Sequence, residues 1–95
     1  MLVISAHIPP GLTSRVHLHA GVEAFYVVDG EQCLETPERA YKMPKGGSLA
    51  VSAGVTMRLV ATGSTPRRAL AVIVYDSAQP PTTRMEAGPQ LVSCR

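Results

Sequence analysis

The sequence predicts an all-β fold, either a barrel or a two-sheet jelly roll, and three observations support this prediction. Hydrophobic residues make up 45% of the 95-residue chain and charged residues 17%, a balance typical of a folded domain and unlike that of a disordered chain. Eight Gly and eight Pro divide the chain into short runs that suit strands. No segment shows a sustained helical period. We expect a single domain with a small core.

The N-terminal half of the chain contains four runs that we interpret as strands. The first is apolar and ends at Pro9-Pro10-Gly11. The second alternates polar and apolar residues, so its histidines lie on one face of the strand. The third, VEAFYVVD, is a strong strand pattern that stops at Asp29-Gly30. These four predicted strands cover residues 2–8, 15–19, 22–29 and 32–35.

The C-terminal half contains four more predicted strands, separated by turns rich in Gly, Pro and Ser. In the last of them, residues 69–74 are apolar at both parities, which predicts cover on both faces. From residue 77 the pattern is lost, and we expect residues 77–95 to be a tail that wraps an edge or is partly disordered, outside a core of about residues 2–76. The predicted strands of this half are 40–43, 48–51, 55–61 and 67–75.

The short connections favour antiparallel hairpins, and strands joined in this way are typical of a barrel or a jelly roll. The alternative is an open sandwich of the immunoglobulin kind. That fold usually has a Cys…Trp…Cys core, and this chain has no Trp.

Charge and cysteine usage limit the classes of partner. The net charge is +2 and the basic residues are scattered, without aromatic residues between them, so we expect no nucleic-acid partner. No apolar stretch approaches the ~18 residues of a membrane span, so we expect no membrane partner. Cys33 and Cys94 are far apart and in no CxxC pair, which does not suggest a disulfide framework. We therefore interpret Cys33 as a small buried residue and expect the protein to be cytoplasmic.

Three residues early in the chain form a candidate metal site. His17 and His19 are two apart on one predicted strand, so their imidazoles share a face. Glu23 opens the next strand across a short turn, and its carboxylate can reach the same point if the two strands are adjacent. Two imidazoles and a carboxylate are typical ligands of non-haem Fe(II), and they also accept Mn, Ni, Co or Zn. We predict a divalent transition metal as the cofactor, its identity open.

At this point the sequence resembles the cupins, and small single-domain cupins in particular. Their first motif, G-x5-H-x-H-x3,4-E-x6-G, is matched at every fixed position, from Gly11 through the candidate ligands to Gly30. Their second motif, G-x5-P-x-G-x2-H-x3-N, keeps Gly46 and Gly54 only. Ser52, Met57 and Ala61 stand where the family has Pro, His and Asn.

The resemblance implies a six- to eight-stranded barrel with one metal site in its mouth, held by His17, His19 and Glu23. Met57 occupies the fourth-ligand position, and a thioether binds hard divalent ions poorly. Metal held by three protein ligands, metal held loosely and a lost site all stay open. Taken alone, Met57 is more typical of core packing than of a metal ligand.

Other residues complete the predicted pocket around this site. Phe25 and Val27 share the parity of Glu23 and are expected to line it, and such apolar linings are common in small-molecule sites. Arg15 shares the parity of the histidines and is predicted either to anchor a substrate carboxylate or to lie in solvent at the rim.

Two classes of function follow from the resemblance. One is a metal-dependent enzyme acting on a small organic molecule, as an oxygenase, isomerase or lyase. The other is a non-catalytic module that binds a small ligand or regulates, with a degenerate metal site. In both cases we expect a homodimer, because the strand that is apolar on both faces needs cover.

Overall fold

The structure is a computed structural model that describes residues 1–86 and 88–94. Those residues form β-strands and connecting turns, and they contain no helix long and apolar enough to cross a membrane. The strands are β1 (Leu2–Ile8), β2 (His17–His19), β3 (Val22–Asp29), β4 (Glu31–Glu35), β5 (Ala40–Met43), β6 (Ser48–Val51), β7 (Arg58–Thr62), β8 (Arg67–Val74) and β9 (Thr82–Arg84).

The strands pair antiparallel in three sheets. The largest has the order β1-β8-β3-β6, a second has the order β5-β4-β7, and a two-stranded sheet pairs β2 with β9. Isolated bridges from Thr13 to Val60 and from His17 to Met57 tie the segment before and within β2 to the β7 edge. Among the described residues the sheets do not close into a continuous barrel, but the all-β fold of jelly-roll type is confirmed.

Alternating burial along β3 shows how the sequence forms this fold. Glu23, Phe25 and Val27 are buried, whereas the residues between them are exposed. The inward side chains of both larger sheets pack into one core, because this packing removes their apolar surface from water. That core contains Phe25, Val27, Leu34, Met43, Val51, Met57, Leu59 and Ala71.

The turn between β2 and β3 depends on a glycine. A Cβ placed on Gly21 would lie 1.6 Å from the carbonyl oxygen of Val74, closer than any contact allows. The β8 backbone therefore packs directly on this turn, and only glycine permits that approach. The same turn joins the β2 histidines to Glu23 in β3.

The C-terminal tail folds back over the second sheet. After β9 pairs with β2, the Met85 amide donates to the Val16 carbonyl and the Val92 amide donates to the Thr36 carbonyl. The tail thus runs from the histidine strand to the end of β4. Two positions expected in this tail, 87 and 95, lie outside the described residues.

The expectation that the cysteines provide no disulfide framework was wrong. Cys33 on β4 and Cys94 in the tail form a disulfide, with Cα atoms 6.1 Å apart across a sequence separation of 61 residues. The returning tail brings the two thiols together, and sequence spacing gave no sign of that path. Cys33 is nonetheless buried, as expected.

Candidate metal centre

The two histidines of β2 lie beside each other, and β3 adds Glu23. The imidazole centroids of His17 and His19 are 4.9 Å apart, with their rings at 73°. His19 is 5% exposed and Glu23 is 4% exposed, so both polar side chains have been taken out of water. Burial of such groups is costly unless a partner satisfies them.

The contact between His19 and Glu23 has an unusual character. His19 Nε2 lies 3.0 Å from Glu23 Oε1, yet both atoms are buried without a hydrogen-bond partner among the described residues. The Nδ1 atom of the same ring lies 3.0 Å from the Pro81 carbonyl oxygen. A carbonyl can only accept, so Nδ1 donates to Pro81, with the Thr82 hydroxyl also 3.0 Å from it. When the ring is neutral, Nε2 then presents a lone pair to the carboxylate.

Two facing lone pairs in a buried place call for a cation or a proton between them. The pKa of His19 reflects this: burial lowers it, but the Glu23 carboxylate, which accepts a hydrogen bond from the protonated ring, and the carbonyl of Pro81 together outweigh burial and raise it above the ordinary value of 6.5. In the metal-free chain a proton satisfies the pair, and a metal ion would satisfy it in the same place.

His17 is oriented in the same way as His19. Its Nδ1 lies 2.7 Å from the Arg15 carbonyl oxygen, so this ring too has its second nitrogen free for a ligand. A carbonyl or carboxylate on the remote nitrogen is the usual support of a metal-binding histidine. The donor set of the site therefore fits a divalent transition ion by its chemistry.

The site is not assembled as a finished metal cluster. Within residues 1–86 and 88–94, no group of three or more His, Cys, Asp or Glu side chains is arranged to hold a metal ion. The structure brings His19 and Glu23 into contact and places His17 beside His19, but it does not bring all three predicted ligands to one point.

Met57 lies directly opposite His17. Their backbones exchange two hydrogen bonds, of 2.9 and 2.8 Å, so they form an antiparallel pair whose side chains lie on the same face. The Met57 side chain is 1% exposed and belongs to the hydrophobic core cluster. This position agrees with the alignment of the second motif, and the thioether packs with the core there.

Sequence reasoning missed a buried arginine near the site. Arg67 is 2% exposed, its Nε donates to Gln32 Oε1 at 2.7 Å, and its Nη1 has no partner in the described part of the chain. Burial lowers the pKa of Arg67 below its ordinary value, and the nearby negative charge of Glu23 offsets this only in part. The available signal was parity, because Arg67 lies on the same face of β8 as the buried residues Ala69, Ala71 and Ile73.

The remaining predicted residues have different positions. Phe25 and Val27 are packed in the core cluster, and Arg15 is exposed at the edge of a surface cleft. A cavity of about 440 Å³ is lined in part by Val51, which pairs with Glu23 across β3 and β6. Its size is within the range of small-molecule sites. Besides Val51, its wall includes Thr36, Glu38, Tyr41, Leu49, Ser52, Val55, Thr56 and Pro89.

The fold and the histidine–glutamate site together define a small cupin-type protein. The family model described as Cupin domain matches residues 5–73, which is most of the chain, and the chain therefore belongs to the cupin family. The resemblance based on the first motif is confirmed at the level of the family. No curated protein matches this chain significantly.

Solved structures share the fold at low sequence identity. A protein with a double-stranded β-helix domain from Klebsiella pneumoniae is 18% identical, with a TM-score of 0.75 and 90% of this chain and 74% of that one covered. The polyketide cyclase RemF from Streptomyces resistomycificus is 19% identical, with a TM-score of 0.74 and coverages of 92% and 61%. The DMSP lyase DddQ from Ruegeria pomeroyi is 17% identical, with a TM-score of 0.75 and coverages of 90% and 44%. This chain spans less than two thirds of the cyclase and of the lyase.

Proposed function

We propose that this cupin binds one divalent transition metal through His17, His19 and Glu23 and acts on a small organic molecule. One observation carries the proposal: the buried Nε2 and Oε1 atoms of His19 and Glu23 lie 3.0 Å apart with no hydrogen-bond partner among the described residues. A bound ion would supply Lewis-acid or oxygen-activating chemistry. The metal is Fe, Mn, Ni, Co or Zn, and the donor set does not select among them.

The chain's own residues prepare the ligands. Backbone carbonyls of Arg15 and Pro81 lie against Nδ1 of both imidazoles, which leaves Nε2 as the nitrogen that binds metal when the ring is neutral. The cavity beside Val51 is large enough for a small organic substrate. A polyketide cyclase and a DMSP lyase share this fold, which supports a small-molecule activity but does not choose the reaction.

Metal titration tests the proposal. Purified metal-free protein is offered Fe, Mn, Ni, Co and Zn separately, and uptake is measured by elemental analysis after gel filtration. We expect one equivalent of at least one metal, loss of uptake in His19→Ala and Glu23→Gln, and unchanged uptake in the exposed control Arg68→Gln. Uptake below about a tenth of an equivalent for every metal contradicts the proposal.

A second candidate function is a non-catalytic cupin that binds a small ligand or regulates. The buried Met57 in the place of the family's third histidine favours it, because a packed thioether lowers the donor count of the site. If metal uptake fails in the titration while small molecules still bind in the cavity, this candidate replaces the first.

A homodimer is part of the proposal. The outer face of the largest sheet exposes a continuous apolar surface, since Tyr26 pairs with Leu70 and Val22 pairs with Val74 across β3 and β8. The exposures of these four side chains range from 44% to 60%. A second copy would cover this outer face, and stable dimers of this kind bury on the order of 2,000 Å².

Light scattering after gel filtration tests the dimer. We expect a dimer at micromolar concentration, a monomer for Leu70→Lys and for Val74→Lys, and a dimer for Val92→Lys. Val92 is a matched control because it is also exposed and apolar but lies in the tail. A monomeric wild-type protein contradicts the dimer.

The cytoplasmic location stays a prediction, and the disulfide weighs against it. That prediction depended on two unpaired cysteines, whereas Cys33 and Cys94 are bonded. Disulfides persist mainly in oxidising compartments. Counting free thiols in protein taken directly from the native cells would test the location, since two free thiols per chain would support a reducing compartment.

A further inference from the structure

A cleft beside the histidine strand is lined by three arginines from three different segments. Arg15 lies in the segment before β2, Arg58 begins β7 and Arg84 ends β9, and the cleft that they line measures about 440 Å³. Val16 and Met85 contribute apolar wall, and Glu86 contributes one carboxylate. The bridges from Thr13 to Val60 and from His17 to Met57, and the pairing of β2 with β9, bring these segments together.

The three arginines differ in how much charge they can offer a ligand. Arg58 donates from Nε to Glu35 Oε1 at 2.6 Å, so its charge is already matched by a buried carboxylate. Arg15 and Arg84 have no side-chain hydrogen bond or ion pair with any described residue. Arg15 and Arg84 therefore have no ion-pair partner among the described residues, and Glu86 is the one acidic side chain of the described residues that lines the cleft with them.

We propose that this arginine cleft binds an oxyanion of a small molecule, a carboxylate or a phosphate, with Arg15 and Arg84 as its anchors. A guanidinium presents parallel N–H donors that match two oxygens of such a group, and charge assistance strengthens each bond. A concave volume of about 440 Å³ holds a small organic anion and is too small for a macromolecular surface.

The cleft adjoins the candidate metal centre through two backbone connections. The Arg15 carbonyl accepts the His17 Nδ1 hydrogen bond, and Arg84 is the register partner of His17 in the β2–β9 pair. An anion held here lies next to the histidine strand. The cleft thus indicates that the substrate of the proposed function is an anion. Its role in catalysis rests on that proposed function.

Anion binding is tested on the metal-free protein, so that its outcome is independent of metal uptake. Citrate and inorganic phosphate are titrated separately at constant ionic strength, with amide chemical shifts as the readout and glycerol as the uncharged comparison. We expect saturable shifts at residues of the cleft for at least one anion and none for glycerol. Tighter binding of citrate assigns a carboxylate, and tighter binding of phosphate assigns a phosphoryl group.

Variants locate the binding in the cleft. Arg15→Gln and Arg84→Gln are each expected to weaken anion binding by about tenfold, since each removes one guanidinium that can form two charge-assisted hydrogen bonds. Glu86→Gln removes the opposing charge and is expected to tighten binding severalfold. Arg68→Gln, an exposed arginine on β8 outside the cleft, serves as the matched control and is expected to change nothing.

Two results would overturn the proposal. One is the absence of saturable shifts with either anion. The other is binding that Arg15→Gln and Arg84→Gln leave unchanged while both variants keep the wild-type amide spectrum. Saturable anion binding in a protein that takes up no metal keeps the cleft and rejects the metal centre, whereas metal uptake without anion binding does the reverse.

Discussion

Two buried glutamates in this molecule have opposite surroundings. Glu35 at the end of β4 is 2% exposed, and its oxygens accept from Arg58 Nε at 2.6 Å and from the Cys94 amide at 2.7 Å. Glu23 at the start of β3 is 4% exposed, yet its Oε1 accepts from no donor in the described residues and faces His19 Nε2. Burial is nearly equal, and only the partners differ.

The difference separates a structural carboxylate from one available to a ligand. A buried charge with its hydrogen bonds made is compatible with a stable fold, and breaking its pairing costs stability. A buried carboxylate that faces an unprotonated imidazole costs stability in the metal-free chain, and a proton or a ligand can recover that cost. The predictions below therefore assign stability to the Glu35 region and ligand binding to the Glu23 region.

The largest expected effect is on the disulfide that holds the donor of Glu35. Replacing Cys33 and Cys94 by Ser releases the tail, and the closed loop of 61 residues predicts a loss of about 4 kcal/mol in the free energy of unfolding. Urea unfolding with and without dithiothreitol measures it. The double variant should not respond to dithiothreitol, and a wild-type transition that the reductant leaves in place would contradict the prediction.

The second effect concerns Glu35 itself. Glu35→Gln is expected to lower the free energy of unfolding by about 2–3 kcal/mol, below the usual cost of breaking a buried pair because the Arg58 side chain is 40% exposed and can be hydrated. Metal uptake should be unchanged. A variant that unfolds at the same urea concentration as wild type would show that Glu35 contributes no more than Glu23 to the stability of the fold.

Glu23→Gln reverses this pattern. The amide of Gln can donate to the His19 Nε2 lone pair, so at pH 8 the metal-free variant is expected to be as stable as wild type within about 1 kcal/mol, or more stable. Its metal affinity is expected to fall by about a hundredfold or more, since an anionic ligand is lost. Thermal melts of both proteins check the stability, and metal titrations check the affinity. A large loss of stability in Glu23→Gln would show that Glu23 has a structural role.

Much of the fold could be predicted from local pattern. The predicted bounds of the strands at 2–8, 22–29, 40–43 and 48–51 are confirmed. Local sequence specifies these bounds through the apolar pattern of each strand and the turn residues that follow it. The strand expected at 55–61 begins later, at Arg58, because Val55 still belongs to a turn in which its amide donates to the Ser52 carbonyl. β9 was missed because three residues, TTR, have no amphipathic pattern and form a strand only by pairing with β2.

The parts of the site that sequence could not predict depend on distant segments. Pro81 supports His19 across 62 positions, and the disulfide spans 61, so no local spacing indicates either. His19 and Glu23, on either side of the short turn, lie in contact, but β2 and β3 belong to different sheets, so motif spacing alone did not specify it. The position of Met57 opposite His17 agrees with the expected register of the second motif.

Met57→His tests how much the lost histidine matters to the Glu23 region. The side chain at this position lies on the same face as His17, so a new imidazole adds a harder donor near the site. Metal binding is expected to tighten about tenfold, or ~1.4 kcal/mol. Parallel metal titrations measure it, with Met43→His as a control in which another core methionine changes away from β2. Equal affinities for the variant and wild type would show that position 57 does not reach the metal.

The smallest expected effect is on the pH dependence of the metal-free protein. The pKa of His19 is raised above 6.5 in the folded state, so folding favours its protonated form. The stabilising contribution is complete below pH 6.5 and is lost as the pH rises through the folded pKa, so the melting temperature should fall over that interval. In Glu23→Gln the charge that raises this pKa is absent, and the fall should shrink or disappear. Melts in the presence of a chelator from pH 5.5 to pH 9 compare the two proteins, and parallel curves would show that the His19–Glu23 contact does not couple to folding.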